Sequence, residues 1–250
     1  MAKQPKIRLD QLLVERGLAD SRAKAQALIM AGLVHGADRR FDKPGQQLAA
    51  DTEVSVKGRE HPWVSRGGMK LAKGLDHFAV DPTGFTCLDL GASTGGFTDV
   101  LLTNGAAKVF AVDVGHGQLD WKLRTDERVV VLEKTNARHL TAEQVPDAID
   151  LIVSDVSFIG LEKVLPPAMA LAKPGAKLIA LIKPQFQAGP EHVGKGGVVR
   201  DPAVHQAVCE EMRDFIANDC GWRVLGLTES PIKGPEGNIE FLIGAERPEA

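Results

Sequence analysis

From residue 86 onward, short apolar runs alternate with turns and helical segments. Five runs have the length of buried strands: Thr86–Leu90, Lys108–Asp113, Val129–Leu132, Ile149–Val153 and Lys177–Ile182. Strands that are apolar on both faces are typical of a mostly parallel sheet between two layers of helices. A helix over 202–218 and two strands, 222–228 and 239–245, follow. The sequence therefore predicts a Rossmann-like α/β sheet that ends in an antiparallel hairpin.

The first sixty residues have a different pattern, which predicts a small α+β domain. Two short helices, 9–16 and 21–31, precede short strands at 33–36 and 52–57. Residues 1–66 carry twelve Lys or Arg against eight Asp or Glu, a net charge of +4, whereas the remainder carries −7. This asymmetry indicates two modules with different partners. We expect domains over 1–60 and 67–250, joined by a linker at 61–66.

The composition, with 44% hydrophobic and 25% charged residues, is that of an ordinary globular protein. Three scattered cysteines without a C-x-x-C spacing indicate a reducing compartment rather than a disulfide framework. The longest run without Asp, Glu, Lys or Arg is Ala25–Ala37, shorter than a spanning helix, and no secretory segment is recognised at the start. We therefore expect a cytoplasmic protein without stable membrane association. The seven histidines show no ligand spacing, so no metal is expected.

A Gly-rich turn, Leu88–Phe97, joins the first strand of the large sheet to a helix. Glycines at such a turn let the backbone approach a ligand, and the helix start offers free N–H groups. Asp113 ends the next strand, the position from which a carboxylate binds both hydroxyls of a ribose. The alternative is an ordinary strand-to-helix turn followed by an incidental aspartate.

The details of the turn favour S-adenosylmethionine over a dinucleotide. Gly91 and Gly96 fit the outer positions of G-x-G-x-x-G, but Ser93 replaces the middle glycine. Asp89 instead matches the acid-x-G-x-x-x-G loop of methyltransferases that use S-adenosylmethionine. Asn136, after the third strand, is either a contact for adenine or a turn residue. The candidate cofactor residues are Asp89, Gly91, Ala92, Ser93, Gly95, Gly96, Phe97, Asp113, Asn136 and Asp155.

Four charged residues stand at or near the ends of predicted elements. Lys70 lies in a helix over 66–78, Asp155 and Lys183 end the fourth and fifth strands, and Glu240 lies in the last strand. In open α/β sheets the carboxyl ends of the strands form the ligand crevice, so Asp155 and Lys183 should face it.

This order resembles the K-D-K-E tetrad of FtsJ-like (RrmJ-type) ribose 2′-O-methyltransferases. Trp63–Leu71, Asp89–Phe97 and Lys183–Phe186 together resemble the TlyA family, and the resemblance covers essentially the whole chain. That family includes both proteins called hemolysins and ribosomal RNA 2′-O-methyltransferases that act on cytidines. The resemblance implies catalytic roles for the tetrad, S-adenosylmethionine as cofactor, and ribosomal RNA or ribosomal subunits as partners. Gln187 and Pro190 depart from the family pattern in the loop after Lys183.

Methyl transfer to a ribose hydroxyl requires alignment of oxygen, methyl and sulfur, and removal of the hydroxyl proton. Lys183 is the candidate base or orienter of this hydroxyl. Burial and the like charge of Lys70 favour a neutral lysine, whereas Asp155 and Glu240 favour a charged one. Both roles remain open on the sequence. Asp155 would stabilise the lysine pair and orient the substrate.

The segment Arg8–Ala25 resembles the αL RNA-binding module named after a ribosomal small-subunit protein. Structured RNA is recognised largely through its shape and phosphates, which a few well-placed cations can bind. The alternative is a solvated charged face. The Gly-rich loop 189–197 could likewise close over RNA or be a plain surface loop. The candidate RNA-binding residues are Lys6, Arg8, Arg22, Lys24, Arg66 and Lys195.

Three functions are compared: a methyltransferase acting on ribosomal RNA, a membrane-active hemolysin, and a non-catalytic RNA-binding factor in ribosome assembly. The missing apolar and basic amphipathic segments disfavour the second, and the intact tetrad disfavours the third. The sequence favours the enzyme and sets no oligomeric state.

Overall fold

The structure is a computed structural model that describes residues 6–16, 18–19, 21–36, 39–56 and 61–249, without the side chain of Pro235. The chain divides into two compact units, Met1–Pro62 and Trp63–Ala250. Each unit has a hydrophobic core of its own.

The smaller unit combines two helices with two short antiparallel strand pairs. Its elements are β1 (Lys6–Arg8), α1 (Leu9–Glu15), α2 (Arg22–Met30), β2 (Val34–His35), β3 (Gln47–Ala49) and β4 (Ser55–Val56). β1 pairs with β3, and β2 pairs with β4. Ser21 caps the start of α2: its Oγ accepts the Lys24 N–H at 3.2 Å, which is a favourable helix cap. Leu9, Leu13 and Ile29 are fully buried between the two helices and the strands.

The larger unit alternates strands and helices from residue 86. Its helices are α3 (Gly67–His77), α4 (Gly96–Thr103), α5 (Trp121–Arg124), α6 (Leu161–Ala170), α7 (Pro184–Gln187) and α8 (Pro202–Asp214), and a π-helical turn, Phe215–Asp219, extends α8. Its strands are β5 (Thr86–Leu90), β6 (Lys108–Val112), β7 (Val129–Leu132), β8 (Ile149–Ser154), β9 (Ala172–Ile182), β10 (Arg223–Glu229) and β11 (Phe241–Glu246).

These strands form one seven-stranded sheet in the order β10-β11-β9-β8-β5-β6-β7. The pairs among β5, β6, β7, β8 and β9 are parallel, and β11 is antiparallel to both β9 and β10. The predicted Rossmann-like fold with a terminal antiparallel hairpin is thereby confirmed. One local expectation is wrong: β11 begins at Phe241, so Glu240 precedes the last strand, because residues 234–240 still belong to the turn.

Successive strand residues alternate between two cores, as the strand period of two requires. Leu88 and Phe110 pack on one face with α6 and α8, whereas Cys87 and Val109 pack on the other with α3 and α4. This burial on both faces explains why the strands lack alternating polar residues. Within the described part of the chain, no helix combines the length and the apolar character needed to cross a membrane.

Candidate active site

Two adjoining cavities lie where the strands β5, β6 and β8 end. The larger has a volume of about 410 Å³ and the smaller about 260 Å³. Both are bordered by Gly91, Ser93, Asp155 and Ser157, so they meet at the turn after β5. The larger volume falls within the range of small-molecule sites in proteins.

The turn between β5 and α4 is shaped for close approach. Gly91 has φ +81°, and a Cβ there would lie 3.0 Å from the carbonyl oxygen of Asp155. A Cβ on Gly96 would lie 2.3 Å from Oγ of Ser65, so the segment before α3 packs directly against this turn. Ser93 has φ +49°, a left-handed conformation that is uncommon outside glycine.

Asp113 and Asn136 line the larger cavity together with apolar side chains. The Asp113 carboxylate accepts the N–H of Ser93 at 2.7 Å and the N–H of Gly115 at 2.6 Å. A carboxylate has about four acceptor positions, so Asp113 retains capacity for two hydroxyls. Asn136 borders the cavity, and its side-chain oxygen also accepts the Arg138 N–H at 3.0 Å, as expected of a turn residue.

Two candidate cofactor residues, Asp89 and Gly95, line neither cavity. Asp89 is fully buried beneath the turn, where it accepts the Thr98 hydroxyl at 2.6 Å. Burial raises the pKa of Asp89 to about 7, with the charges of Asp155 and Asp113 adding to the shift and the Thr98 bond opposing it. Gly95 has φ +95° and precedes α4. Both residues support the turn, while Ala92 and Phe97 border the smaller cavity.

The four tetrad residues converge into a row of alternating charge. Lys70 Nζ lies 2.6 Å from Glu240 Oε2 and 3.6 Å from Asp155 Oδ2. Lys183 Nζ lies 2.6 Å from Asp155 Oδ1. The lysine side chains are 9% and 8% exposed and that of Glu240 is fully buried, whereas Asp155 is 20% exposed. Two positive and two negative groups balance, which makes the burial of four charges tolerable.

Two partners of the tetrad escaped the sequence analysis. Lys183 Nζ donates to Ser157 Oγ at 2.8 Å and approaches the Asp155 carbonyl oxygen at 3.4 Å, in addition to the Asp155 carboxylate. Gln185 Nε2 lies 3.4 Å from Glu240 Oε1. Their positions, two residues after Asp155 and two after Lys183, are the signal that could have identified them.

An exposed aromatic residue lies at the rim of the larger cavity. Phe158 is 89% exposed and has φ +62°, and its ring centroid lies 4.8 Å from that of Phe186. Both rings belong to the segments that follow Asp155 and Lys183.

The loop after Lys183 is tied to neighbouring elements. Gln187, where the family pattern has an acid, accepts the Leu161 N–H at 2.8 Å at the start of α6. Pro190 begins a 3₁₀ turn, Pro190–His192. Asn238 accepts the Val199 N–H at 3.1 Å and donates to the Gly197 carbonyl at 2.9 Å. Lys195 is exposed in the turn between these anchors.

Among the other RNA candidates, Arg66 is exposed and borders the smaller cavity. In the smaller unit, Arg8 and Arg22 both bind the buried carboxylate of Asp10. The Arg8 guanidinium holds the pKa of Asp10 well below its usual range, although burial opposes this. Lys6 is exposed, and Lys24 is half-buried.

Metal-ligating side chains do not cluster in the described ranges: no group of three or more His, Cys, Asp or Glu residues there could hold an ion. The polar groups at the two cavities are carboxylates, ammonium groups, the Arg66 guanidinium, hydroxyls and amides. Such groups suit an organic ligand that carries hydroxyl groups.

Two family models match the chain. The model described as FtsJ-like methyltransferase matches residues 63–247, and the S4 domain model matches residues 7–54. The two matches fall in the larger and the smaller unit, respectively.

Individual proteins match over nearly the whole chain. The chain is 52% identical to YqxC of Bacillus subtilis, a candidate rRNA methyltransferase, over 95% of its own length and 85% of the relative. It is 48% identical to the 16S/23S rRNA (cytidine-2′-O)-methyltransferase TlyA of Mycobacterium tuberculosis, over 94% of this chain and 88% of that one. A solved structure of a candidate hemolysin from Streptococcus thermophilus superposes with a TM-score of 0.76 at 43% identity, over 99% and 90% of the two chains.

Proposed function

The chain belongs to the FtsJ-like methyltransferases and carries an S4 domain, and from this premise we propose that it methylates the 2′-hydroxyl of a cytidine in ribosomal RNA with S-adenosylmethionine as methyl donor. The observation that carries the proposal is the tetrad Lys70, Asp155, Lys183 and Glu240 beside a cavity suited to the donor. The named relative of Mycobacterium tuberculosis supports ribosomal RNA and cytidine as the substrate.

The larger cavity fits S-adenosylmethionine. Asp113 would hold the ribose hydroxyls, and Asn136 with the apolar wall around Val112 and Ala137 would hold the adenine. The turn Gly91–Phe97 would contact the donor where the two cavities meet. When bound, the donor supplies a methyl group activated by its attachment to a positively charged sulfur.

The tetrad would act on the attacking hydroxyl. Lys183 Nζ forms an ion pair with Asp155 Oδ1, donates to Ser157 Oγ and approaches the Asp155 carbonyl oxygen. This arrangement favours a charged Lys183 that orients the 2′-oxygen and stabilises its developing negative charge. The hydroxyl proton can pass to Nζ while Nζ passes a proton to Asp155 Oδ1, 2.6 Å away. Lys70, fixed by Glu240, would balance the charge of Asp155.

The rim of the cavities would hold the nucleotide. The exposed ring of Phe158, supported by Phe186, offers a face on which an unpaired base can stack. Arg66, at the smaller cavity, is a cation for a neighbouring phosphate. Both groups lie beside the tetrad, where the target ribose must enter.

The test uses ribosomal subunits from a strain that lacks the enzyme, incubated with methyl-labelled S-adenosylmethionine. We expect label in 2′-O-methylcytidine after nuclease digestion, and resistance to alkaline cleavage at the modified nucleotide. Lys183→Ala should abolish incorporation while it leaves binding of the donor largely intact. The matched control is Lys173→Ala, because Lys173 lies at the opposite end of the same strand, β9, and pairs with Asp150.

Full activity of Lys183→Ala would remove Lys183 from the mechanism. No incorporation by the wild-type protein into either subunit would refute ribosomal RNA as the substrate and favour a non-catalytic RNA-binding factor. Label in a base rather than in the ribose would refute the proposed acceptor.

A further inference from the structure

We propose that Asp10 is a positioning residue that holds Arg8 and Arg22 together as one binding site for a phosphate of the RNA backbone. The proposal rests on RNA as the partner under the proposed function. It concerns only the smaller unit, and it assigns a role to the Asp10 carboxylate, which is not among the candidate RNA-binding residues.

Three side chains converge on the Asp10 carboxylate. Arg8 binds it through Nε and Nη2 at 3.0 and 2.9 Å, Arg22 Nη2 lies 3.2 Å from Oδ2, and Gln26 Nε2 lies 2.9 Å from the same oxygen. The Asp10 side chain is fully buried, whereas those of Arg8 and Arg22 are 40% and 57% exposed. The carboxylate is thus hidden beneath two guanidinium groups that face solvent.

The fold explains why residues distant in sequence meet at this point. Arg8 directly precedes α1, Asp10 lies in the first turn of α1, and Arg22 is the first residue of α2. The two helices pack against each other, and the 3.2 Å contact between Arg22 and Asp10 joins their starting turns. Gln26, one turn further along α2, donates to the same carboxylate oxygen as Arg22 without adding charge.

A buried carboxylate on an RNA-binding surface has two opposite effects. Its negative charge lowers the attraction to RNA, because phosphate binding depends on net positive charge. However, it fixes two long side chains whose free rotation would otherwise be lost on binding. Arg8, Arg22 and Asp10 together keep a net charge of +1. Arg22 contacts Asp10 through only one of its nitrogens, Nη2. The remaining N–H groups can donate to phosphate oxygens.

The substitution Asp10→Asn distinguishes these effects because they predict opposite signs. If Asp10 only diluted the positive charge, the variant would bind RNA more tightly. If Asp10 positions the arginines, the full-length variant should bind ribosomal RNA about tenfold more weakly, although its net charge is more positive by one. Affinity is measured with labelled ribosomal RNA at several salt concentrations. The matched control, Glu53→Gln, adds the same charge at an exposed site of the same unit and should bind equally or more tightly.

A double-mutant cycle tests positioning itself. Arg22→Ala should weaken binding in the wild-type background but much less in the Asp10→Asn background, because the two guanidinium groups are then no longer held together. Circular dichroism checks that both helices persist. Should Asp10→Asn fail to fold, Gln26→Ala, which changes no charge, is measured instead, and we expect a severalfold loss of affinity.

Each result has one meaning. Weaker binding by Asp10→Asn, or by Gln26→Ala where that replaces it, together with loss of the Arg22 effect, supports the proposal. Equal or tighter binding by the folded variant, or additive losses, overturns it. Absence of RNA binding by the wild-type protein overturns the proposed function instead, so the two failures are distinguishable.

Discussion

The two units use buried carboxylates in opposite ways. In the smaller unit, Asp10 lies beneath two arginines whose side chains are 40% and 57% exposed. In the larger unit, Asp155 and Glu240 hold two lysines that are only 8–9% exposed. The first arrangement presents positive charge to solvent, and the second neutralises it inside a pocket.

This difference follows from the physics of the two tasks. Binding an RNA backbone needs exposed cations, and their attraction to phosphate is screened by salt. Aligning one hydroxyl needs charges held away from water, where they interact strongly and lose little to reorganisation. The same residue types would therefore build the proposed RNA-binding surface in one unit and the proposed catalytic centre in the other.

Among the carboxylates, the largest effect is expected for Asp155→Asn, because Asp155 contacts both lysines. Its loss leaves two positive charges buried with one carboxylate, so we expect the methyl-transfer rate to fall at least about 10³-fold. Asp147→Asn is the control, since Asp147 pairs with Lys108 at the surface, where both side chains are more than a third exposed. A rate for Asp155→Asn within tenfold of wild type would show that the tetrad is structural.

A smaller effect is expected for Glu240→Gln. Lys70 then loses its 2.6 Å partner but keeps Asp155 at 3.6 Å, so the row of charges is weakened at one end only. We expect kcat to fall about 10- to 100-fold with KM for S-adenosylmethionine unchanged. Glu236→Gln, at an exposed position in the preceding turn, should have wild-type kinetics. A change confined to KM would place Glu240 in donor binding.

In the wild-type protein, salt should weaken RNA binding much more than it slows methyl transfer. Raising the salt concentration from about 50 to 200 mM should weaken RNA binding about 10- to 100-fold, since exposed cations release counterions from phosphates. The single-turnover rate of the saturated complex should change less than about twofold, because buried pairs are screened little. A parallel decrease of rate and affinity would show that the tetrad is accessible to ions and would contradict this comparison.

The sequence predicted the features that depend on local pattern and strand order. Apolar runs placed β5 to β9, and the carboxyl ends of β8 and β9 placed Asp155 and Lys183 at the same crevice. The convergence of Lys70 and Glu240 on these residues depends on the packing of α3 and on the turn before β11, which no spacing encodes. No prediction covered α6, which contains Pro166 and Pro167, residues that usually argue against a helix.

The functions of individual polar residues were predictable only in part. Asp113, just past the end of β6, lines a cavity, whereas Asp89, within β5 and in register with Ala111, is enclosed beneath the turn. The face on which a side chain emerges at a strand end depends on the local path of the chain. Similarly, the sequence marked Arg8 and Arg22 as cations, but the carboxylate that joins them became visible only in the packed helices.

The smallest expected effect is on the pH dependence of stability, to which Asp89 and Asp10 contribute with opposite signs. Burial raises the pKa of Asp89 to about 7 from the 3.8 of an unfolded aspartate, so between pH 4 and 7 the folded state binds more protons than the unfolded state. Its contribution to stability is therefore lost as pH rises through this window. Asp10 has a lowered pKa, so its contribution is present above about pH 4 and is lost as pH falls below that value.

Asp89→Asn should remove the loss of stability of the larger unit that accompanies a rise in pH. We expect the melting temperature of the variant, relative to wild type, to rise by a few degrees between pH 5 and pH 8. Each kcal/mol in the free energy of unfolding corresponds to about 2–4 °C for a unit of this size. Tryptophan fluorescence isolates this unit, since Trp63, Trp121 and Trp222 all lie within it. Asp76→Asn, an exposed carboxylate on α3, should show a flat difference. If the melting-temperature difference between Asp89→Asn and wild type is also independent of pH, Asp89 is already ionised in the folded protein at pH 5. Burial without the cationic partners that surround Asp10 would then not be enough to keep a carboxylate protonated.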